Sequence, residues 1–227
     1  MFRAFRLFSA VFLAVALLAA APIALAKGGF VRAEGTRFVT PDGRTLLLKG
    51  INLGNWLMPE GYMFKFEKMK SPRQIETVIE HLAGRDGAEA FWRRFRDTYI
   101  TEEDIRFIKA VGFNTIRIPL HHKLFMTNDA KPRFEGEGYA LLDRVIEWAK
   151  RAGLYLIVDM HAAPGGQTGI NHDDGPGYPL MFYVPEYRAR TIALWRHLAE
   201  RYRDETTMIG FDLLNEPAMR EDMNDQH

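Results

Sequence analysis

Polar and charged residues stand at the carboxyl ends of four apolar stretches of the chain. In chain order they are Asn52 and Asn55, Arg117 and His121, Asp159 and His161, and Asn215 and Glu216. Carboxylic acids and imidazoles transfer protons, guanidinium groups stabilise neighbouring carboxylates, and amides form hydrogen bonds with hydroxyl groups. This combination predicts an enzyme site that joins acid–base chemistry to recognition of a polar substrate. Glu216, which directly precedes Pro217, is the carboxylic acid that we expect to react.

The four apolar stretches, residues 46–53, 115–120, 155–160 and 209–214, are predicted strands that alternate with helices. One helix is predicted to begin at Thr101, an N-cap followed by acidic residues, and to end at Gly112. Apolar residues at helical spacing predict two more helices, over 141–149 and 187–202. Apolar strands that alternate with helices predict an α/β fold with a parallel sheet, whose strand ends meet at one rim.

Two other segments complete the predicted organisation. Residues 30–39 and 45–48, joined by a Pro-Asp-Gly turn at 41–43, predict a hairpin before the first buried strand. Residues 57–100 form a long insertion with predicted helices over 73–82 and 88–99. Periodicity leaves a closed (β/α)₈ barrel and an open doubly wound sheet as alternatives. No glycine-rich phosphate loop follows any predicted strand, which argues against a nucleotide-binding version.

Composition narrows the class of protein further. The chain has 227 residues, of which 47% are hydrophobic, so it can form one globular domain with a sizeable core. Basic and acidic residues number 30 and 29, and this balance predicts neither nucleic acid nor an anionic membrane as a partner. The chain contains no cysteine, which excludes disulfides and thiolate catalysis.

The first 26 residues have the pattern of a secretory signal peptide. Arg3 and Arg6 precede an almost uncharged run over 7–26 that ends in Ala-Leu-Ala, with Lys27 next. A retained membrane anchor is the alternative, because the run approaches the length that crosses a bilayer. We expect residues 1–26 to be removed, leaving a secreted protein, extracellular or periplasmic, with no membrane association and a catalytic domain over 27–227.

Four motifs occur in an order that is similar to a known family. They are Gly-Ile-Asn-Leu-Gly-Asn-Trp at 50–56, Asn-Thr-Ile-Arg-Ile-Pro at 114–119, Asp-Met-His-Ala-Ala-Pro-Gly at 159–165, and Asn-Glu-Pro at 215–217. Together they resemble glycoside hydrolase family 5, which includes cellulases and exo-1,3-β-glucanases. The resemblance implies a (β/α)₈ barrel, hydrolysis that retains the anomeric configuration, and no metal or other cofactor. Only the first four βα units of the barrel are expected in this chain.

The same resemblance implies roles for the residues at the strand ends. Glu216 resembles the general acid/base, whose pKa a crowded site should raise. Asn215 resembles the amide that binds the sugar 2-hydroxyl group, a contact that strengthens in the transition state. Arg117 is similar to the arginine beside the nucleophile, and His161 to the histidine that lines the same subsite. Asp159 is expected to orient its neighbours beneath the site.

Other residues are predicted to contact the substrate, which we expect to be a polysaccharide or oligosaccharide. They are Glu60, Trp56, His121, Asn171 and Tyr178. Glu60 is similar to a glutamate of the exo-1,3-β-glucanases that binds the terminal sugar, although Gly61 stands where that group has proline. Trp56 and Tyr178 are predicted platforms for sugar rings. The glycine-rich segment 164–180 is predicted to be a loop that faces the substrate.

Two alternatives remain open at the level of the sequence. A noncatalytic carbohydrate-binding protein would keep the cleft without the reaction. A metal-dependent barrel hydrolase could use His121, His122 and His172, although their spacing forms no compact ligand motif and no metal site is predicted. Retaining hydrolysis needs a second carboxylate about 5 Å from the first, and we expect this nucleophile to lie outside the chain. The full-length protein is expected to be a monomer.

Overall fold

A computed structural model of the chain describes residues 29–218. The predicted signal peptide and residues 219–227 lie outside the described residues. In the described part, a small antiparallel sheet of β1 (Arg32–Glu34), β2 (Arg37–Val39) and β3 (Thr45–Leu46) precedes a larger sheet. This small sheet confirms the predicted hairpin.

The larger sheet carries the predicted site. Within residues 29–218 it consists of β4 (Gly50–Asn52), β5 (Thr115–His121), β6 (Tyr155–Ala162) and β7 (Met208–Asp212), in that order and all parallel. The parallel sheet and the order of its strands agree with the sequence-based prediction. The first predicted strand is wrong in extent: residues 45–46 pair with the hairpin, and pairing in the large sheet starts at Gly50.

Helices connect the parallel strands and cover one face of the sheet. They are α1 (Pro72–Thr98), α2 (Glu102–Ala110), α3 (Glu137–Ala152), α4 (Leu180–Tyr183) and α5 (Pro185–Arg201). The Thr101 side chain and Asp104 form a capping box at the start of α2, as the sequence predicts. Gly153 adopts a left-handed conformation, with φ of 66°, where it ends α3.

The predicted pair of helices in the insertion is present as two helical segments of α1, which meet at Gly84. Ser71 caps the start of α1 through a capping box with Gln74, and Pro72 occupies the first turn. At Gly84 the backbone leaves helical geometry, with φ of 71° and ψ of 170°, and helix resumes immediately afterwards. Glycine permits this conformation at little steric cost, so the helix is interrupted at Gly84 and α1 consists of two helical segments.

The core lies between the helices and one face of the parallel sheet. Alternate strand residues point into it and meet buried residues of α2, α3 and α5. The strand residues Ile116, Ile118, Leu156 and Val158 pack with Ile105, Leu142, Val145 and Leu194. Burying each of these side chains contributes about 1.5–3 kcal/mol. The intervening residues of β5 and β6 point to the other face, and this alternation separates the polar site from the apolar core.

No helix of residues 29–218 combines the length and the apolar character needed to cross a bilayer.

Candidate active site

Arg117 is the centre of a polar network on the face of the sheet opposite the helices. Its Nη2 lies 2.8 Å from Asp212 Oδ2 and 3.0 Å from Asp159 Oδ2, and Nη1 donates to Asn52 Oδ1 at 3.2 Å. Nη2 also donates to Asn215 Oδ1 at 3.0 Å. These partners belong to neighbouring strands and their carboxyl ends, so one guanidinium group ties the rim together. Arg117 therefore forms an ion pair with Asp159 and also contacts Asn215, one of the predicted catalytic residues.

The network determines which ring nitrogen of His161 carries a proton. Arg117 is a donor, so its partner on Asn215 is the amide oxygen, and the Asn215 Nδ2 group faces His161 Nε2 at 3.4 Å. His161 Nδ1 lies 2.6 Å from Asp159 Oδ2. The Asp159 carboxylate accepts a hydrogen bond from Nδ1–H, so in the neutral ring Nε2 is the acceptor. Asp159 thus orients His161, as predicted, and His161 in turn faces Asn215.

Asp159 is fully buried at the base of this network. Burial raises the pKa of its carboxyl group, whereas the hydrogen bond with His161 and the charge of Arg117 act in the opposite direction. Its Oδ2 atom contacts both of these groups, and its Oδ1 atom accepts no hydrogen bond from any residue between 29 and 218. The position of Asp159 is therefore structurally constrained, and its side chain is not exposed to solvent.

Glu60 joins the same group of residues from the loop that follows β4. Its Oε1 atom lies 3.8 Å from His161 Nε2. Asn55, in a left-handed conformation with φ of 64°, accepts the Glu60 backbone N–H through its side-chain oxygen. Burial raises the pKa of Glu60, although the nearby His161 and His172 oppose that effect. The structure thus places Glu60 beside His161, in agreement with a position at the site.

Gly61, the departure from the family pattern beside Glu60, has a steric reason. A Cβ atom at this position would approach the Met69 carbonyl oxygen to 1.8 Å. The Gly61 N–H also donates to the Lys70 carbonyl at 3.3 Å, a hydrogen bond that proline cannot make. The loop after β4 therefore packs against residues 69–70 more closely than any side chain would allow.

Glu216 stands at the open edge of the network. Its backbone has φ of 47°, which is unusual for a residue other than glycine, and its side chain is 70% exposed. The Oε2 atom lies 3.4 Å from His172 Nε2. Asn215, one residue earlier, donates its N–H to the Met160 carbonyl at 3.0 Å, so the chain beyond β7 still follows β6. Within residues 29–218, the Glu216 side chain is therefore open to solvent.

Gln167 is a site residue that sequence reasoning missed. It is fully buried, and its Nε2 donates to the carbonyl oxygens of His161 and Asn215, at 2.8 and 3.1 Å. Its Oε1 accepts the Ala163 N–H at 3.0 Å. Gln167 therefore joins the end of β6 to the backbone beside Glu216. A glutamine in a glycine-rich loop gives no sequence signal of such a role.

Trp56 is not a platform for a sugar. Its ring is 0% exposed, and Nε1 donates to the Arg96 carbonyl oxygen at 2.8 Å, which anchors α1 to the loop after β4. The predicted stacking role is therefore wrong, because both ring faces are covered by protein. Tyr178, the other predicted platform, is 69% exposed and could receive a sugar ring.

His121 is also placed differently from the prediction of a substrate contact. The buried ring accepts the Lys123 N–H on Nδ1 at 3.2 Å, and its Nε2 lies 3.1 Å from Asp174 Oδ2. Both nitrogens are occupied within the protein, so His121 has a structural role. Burial lowers the pKa of His121, which favours the neutral ring. Asn171 lies in a short 3₁₀ turn, Asn171–Asp173, beside the site.

No group of three or more histidine, aspartate or glutamate residues with the arrangement of a metal site occurs among residues 29–218. His121 and His122 have adjacent rings, but His122 Nδ1 lies 2.9 Å from the Ala162 carbonyl oxygen, and burial lowers the pKa of His122 to about 3.

Comparison with known proteins places this arrangement in a family. Residues 76–226 match the family model described as Cellulase (glycosyl hydrolase family 5). A beta-xylosidase from Phanerodontia chrysosporium is 34% identical over 191 residues, which are 83% of this chain and 40% of that protein. A glucan 1,3-beta-glucosidase from Lachancea kluyveri is 33% identical over 188 residues, which are 78% of this chain and 43% of that protein. The chain thus spans less than half the length of either relative.

Solved structures support the fold. A rutinosidase from Aspergillus niger matches with a TM-score of 0.63 and 21% sequence identity, over 78% of this chain and 50% of that chain. A protein called AoRut matches with the same TM-score, the same coverage and 24% identity. The chain belongs to glycosyl hydrolase family 5, and its described residues form part of a (β/α)₈ barrel.

Proposed function

We propose that the protein hydrolyses β-glucosidic bonds of polysaccharides or oligosaccharides by a retaining double displacement, with Glu216 as the general acid/base. The observation that carries this proposal is the placement of Asn215 and Glu216 at the rim, where Arg117 and His161 fix the Asn215 amide. An exposed carboxylic acid next to an oriented amide suits protonation of a glycosidic oxygen beside a recognised 2-hydroxyl group.

The reaction assigns two successive proton transfers to Glu216. The protonated side chain first donates to the glycosidic oxygen while the C–O bond breaks and a nucleophilic carboxylate attacks the anomeric carbon. The ionised side chain then takes a proton from the water that cleaves the glycosyl–enzyme bond. The nucleophile is expected to lie outside this chain, which spans 40% and 43% of the two relatives.

The polar residues around Glu216 suggest how a sugar would be held. Asn215 presents its Nδ2 group, and Glu60 lies within 3.8 Å of His161, so hydrogen-bonding groups converge on one subsite. Asn171 and Tyr178 would add contacts from the loop 164–180. Of the two predicted substrate classes, cellulose-like and β-1,3-linked glucans, the glucan 1,3-beta-glucosidase relatives favour the second.

The test compares the full-length wild-type protein with Glu216→Gln and the control Glu200→Gln. Glu200 is exposed on α5, so the control makes the same chemical change away from the site. Reducing-sugar release from laminarin and carboxymethyl cellulose should fall by about 10²–10⁴-fold in Glu216→Gln and stay unchanged in the control. Aryl β-glucosides and β-xylosides would identify the preferred sugar.

A second substrate sharpens the assignment of the acid. An aryl glucoside with a strongly acidic phenol as its leaving group needs little protonation, so the first burst of phenol from Glu216→Gln should remain much closer to wild type. Equal losses with both kinds of leaving group would contradict the acid/base role. Saccharide binding without turnover by the wild type would favour the noncatalytic carbohydrate-binding alternative.

Secretion and oligomeric state belong to the same proposal. The pattern of residues 1–26 supports removal of a signal peptide, and the secreted protein should then begin at Lys27. Amino-terminal sequencing of the exported protein would check this. The full-length protein is expected to elute as a monomer in size-exclusion chromatography. We expect no nucleic acid partner, and we expect the reaction to need no cofactor.

A further inference from the structure

The loop 164–180, which the sequence predicts to face the substrate, has a polar interior of its own. Asp173 is buried, and its Oδ2 atom accepts the N–H groups of Gln167 and Thr168 at 2.6 and 2.8 Å. Its Oδ1 atom accepts the Gly175 N–H at 2.7 Å. The Asp173 carboxylate therefore binds backbone N–H groups of its own loop.

The next residue, Asp174, connects the loop to two other parts of the fold. Its Oδ1 atom accepts the backbone N–H and the Nε–H of Arg73, at 2.9 and 3.1 Å, at the start of α1. Its Oδ2 atom lies 2.5 Å from Lys123 Nζ and 3.1 Å from His121 Nε2, at the end of β5. The Arg73 guanidinium also donates to the Asp174 carbonyl oxygen. We name Asp174, Arg73, Lys123 and His121 the Asp174 cluster.

The charges of the Asp174 cluster favour an ionised carboxylate. The backbone N–H of Lys123 donates to Nδ1 of His121. The His121 proton therefore lies on Nε2, and the ring is neutral. The carboxylate therefore faces two cations, Arg73 and Lys123, and two neutral donors, the His121 ring and the Arg73 backbone N–H. Burial alone would raise the pKa of Asp174, but the hydrogen bond from His121 and the charge of Lys123 hold it well below its ordinary value.

Two residues before Asp174, His172 contacts the proposed acid/base Glu216. The Asp174 N–H donates to the Asn171 carbonyl at 3.1 Å, which closes the 3₁₀ turn that contains His172. His172 Nε2 lies 3.4 Å from Glu216 Oε2. A displacement of Asp174 would thus move the turn that carries both Asn171 and His172.

We propose that Asp174 is a positioning residue, which holds the loop 164–180 against α1 and β5 so that Asn171, His172 and Tyr178 line the cleft beside Glu216. The proposal rests on the proposed function of that cleft. Charged residues on other elements, chiefly Arg73 and Lys123, keep the loop ordered by pairing with Asp174. The glycines of the loop supply its close turns, and the Asp174 cluster fixes where those turns lie.

The test uses full-length Asp174→Asn, which keeps the size of the side chain and removes its charge. Hydrogen exchange of peptides from 164–180 should be faster by about tenfold or more. The value of kcat/KM on a β-glucan oligosaccharide should fall between about tenfold and 10²-fold, mainly through KM, because the loop supplies binding contacts. A merely structural residue would lower Tm without this change in KM.

Glu205→Gln is the matched control. Glu205 is paired with Lys150 at 2.9 Å, directly before β7, at the end of the sheet opposite the cleft. This variant should lower Tm while KM and loop exchange stay at wild-type values. If Asp174→Asn behaves in the same way, the proposal is overturned.

Arg73→Gln and Lys123→Met provide a second route if Asp174→Asn does not fold. Both side chains are partly exposed, at 50% and 40%, so their loss should be better tolerated. Each should accelerate loop exchange and raise KM by a smaller factor, and unchanged values in both would also overturn the proposal. An inactive wild type would contradict the proposed function, whereas the exchange measurement would still decide whether Asp174 holds the loop.

Discussion

Trp56→Phe is expected to destabilise the protein without weakening substrate binding. The indole ring is completely buried, and its Nε1–H group satisfies the Arg96 carbonyl oxygen near the end of α1. Phenylalanine keeps most of the apolar ring but offers no donor. The change therefore leaves a polar atom without its partner and a small void where the second ring was.

The magnitude follows from these two losses. A buried carbonyl group without its hydrogen bond costs about 1–3 kcal/mol. The missing part of the indole ring corresponds to roughly two buried methylene groups, at about 0.8 kcal/mol each. Together the free energy of unfolding should fall by about 2.5–4.5 kcal/mol, which at a urea m-value of about 3 kcal/mol/M lowers the urea midpoint by about 0.8–1.5 M.

The assay pairs urea unfolding with KM for a β-glucan oligosaccharide, on full-length protein. Tyr178→Ala is the natural counterpart, because this ring is 69% exposed and contributes little to the core. It should leave the urea midpoint within experimental scatter and raise KM. The reasoning is refuted if Trp56→Phe unfolds like the wild type and instead raises KM, since this is the behaviour of a sugar platform.

Three further perturbations test the network at the strand ends. Arg117→Lys should lower the free energy of unfolding by about 1–3 kcal/mol, because an ammonium group cannot reproduce the planar contacts with Asp159 and its neighbours; an unchanged melting curve would contradict this. Gln167→Leu should cost about 2–5 kcal/mol and reduce turnover, since it leaves backbone groups beside Asn215 without partners; chemical denaturation and kcat measure both effects. Burial raises the pKa of Glu60 above its ordinary value of 4.5, so the folded state binds the carboxyl proton more tightly than the unfolded state does. The free energy of unfolding therefore falls as the pH rises from 4.5 through the raised pKa of the folded state. Glu60→Gln should accordingly be more stable than the wild type at about pH 7 and similar at about pH 4, and equal Tm differences at both pH values would argue against the assignment.

The parallel sheet and its polar rim were predictable because local sequence patterns encode them. Alternating strands and helices, the capping box at Thr101 and the glycine that ends α3 are read from neighbouring residues. The positions of Arg117 and His161 on β5 and β6 follow directly from the strand assignment. The family motifs add roles to these positions.

The errors arose where distant residues decide the outcome. Trp56 follows a strand in sequence, as a sugar platform would, but α1 folds over it and supplies the Arg96 carbonyl. Asp174 stands in a polar loop, yet its partners lie about 50 and 100 residues earlier in the chain. No local pattern distinguishes a carboxylate that faces solvent from one that accepts charges from another element.

The left-handed backbone of Glu216 makes the proposed reactive residue a weak point of the fold. A residue with a Cβ atom at φ of 47° carries a strain of about 1–2 kcal/mol, which glycine would not carry. Neighbouring structure maintains this conformation: Gln167 Nε2 donates to the Asn215 carbonyl oxygen on one side of Glu216, and the Ala218 N–H donates to the Gln167 carbonyl oxygen on the other. Glu216→Gly should therefore produce an inactive protein that is more stable than the wild type. This result would indicate that the strained backbone orients the Glu216 carboxyl group for the reaction at the expense of stability.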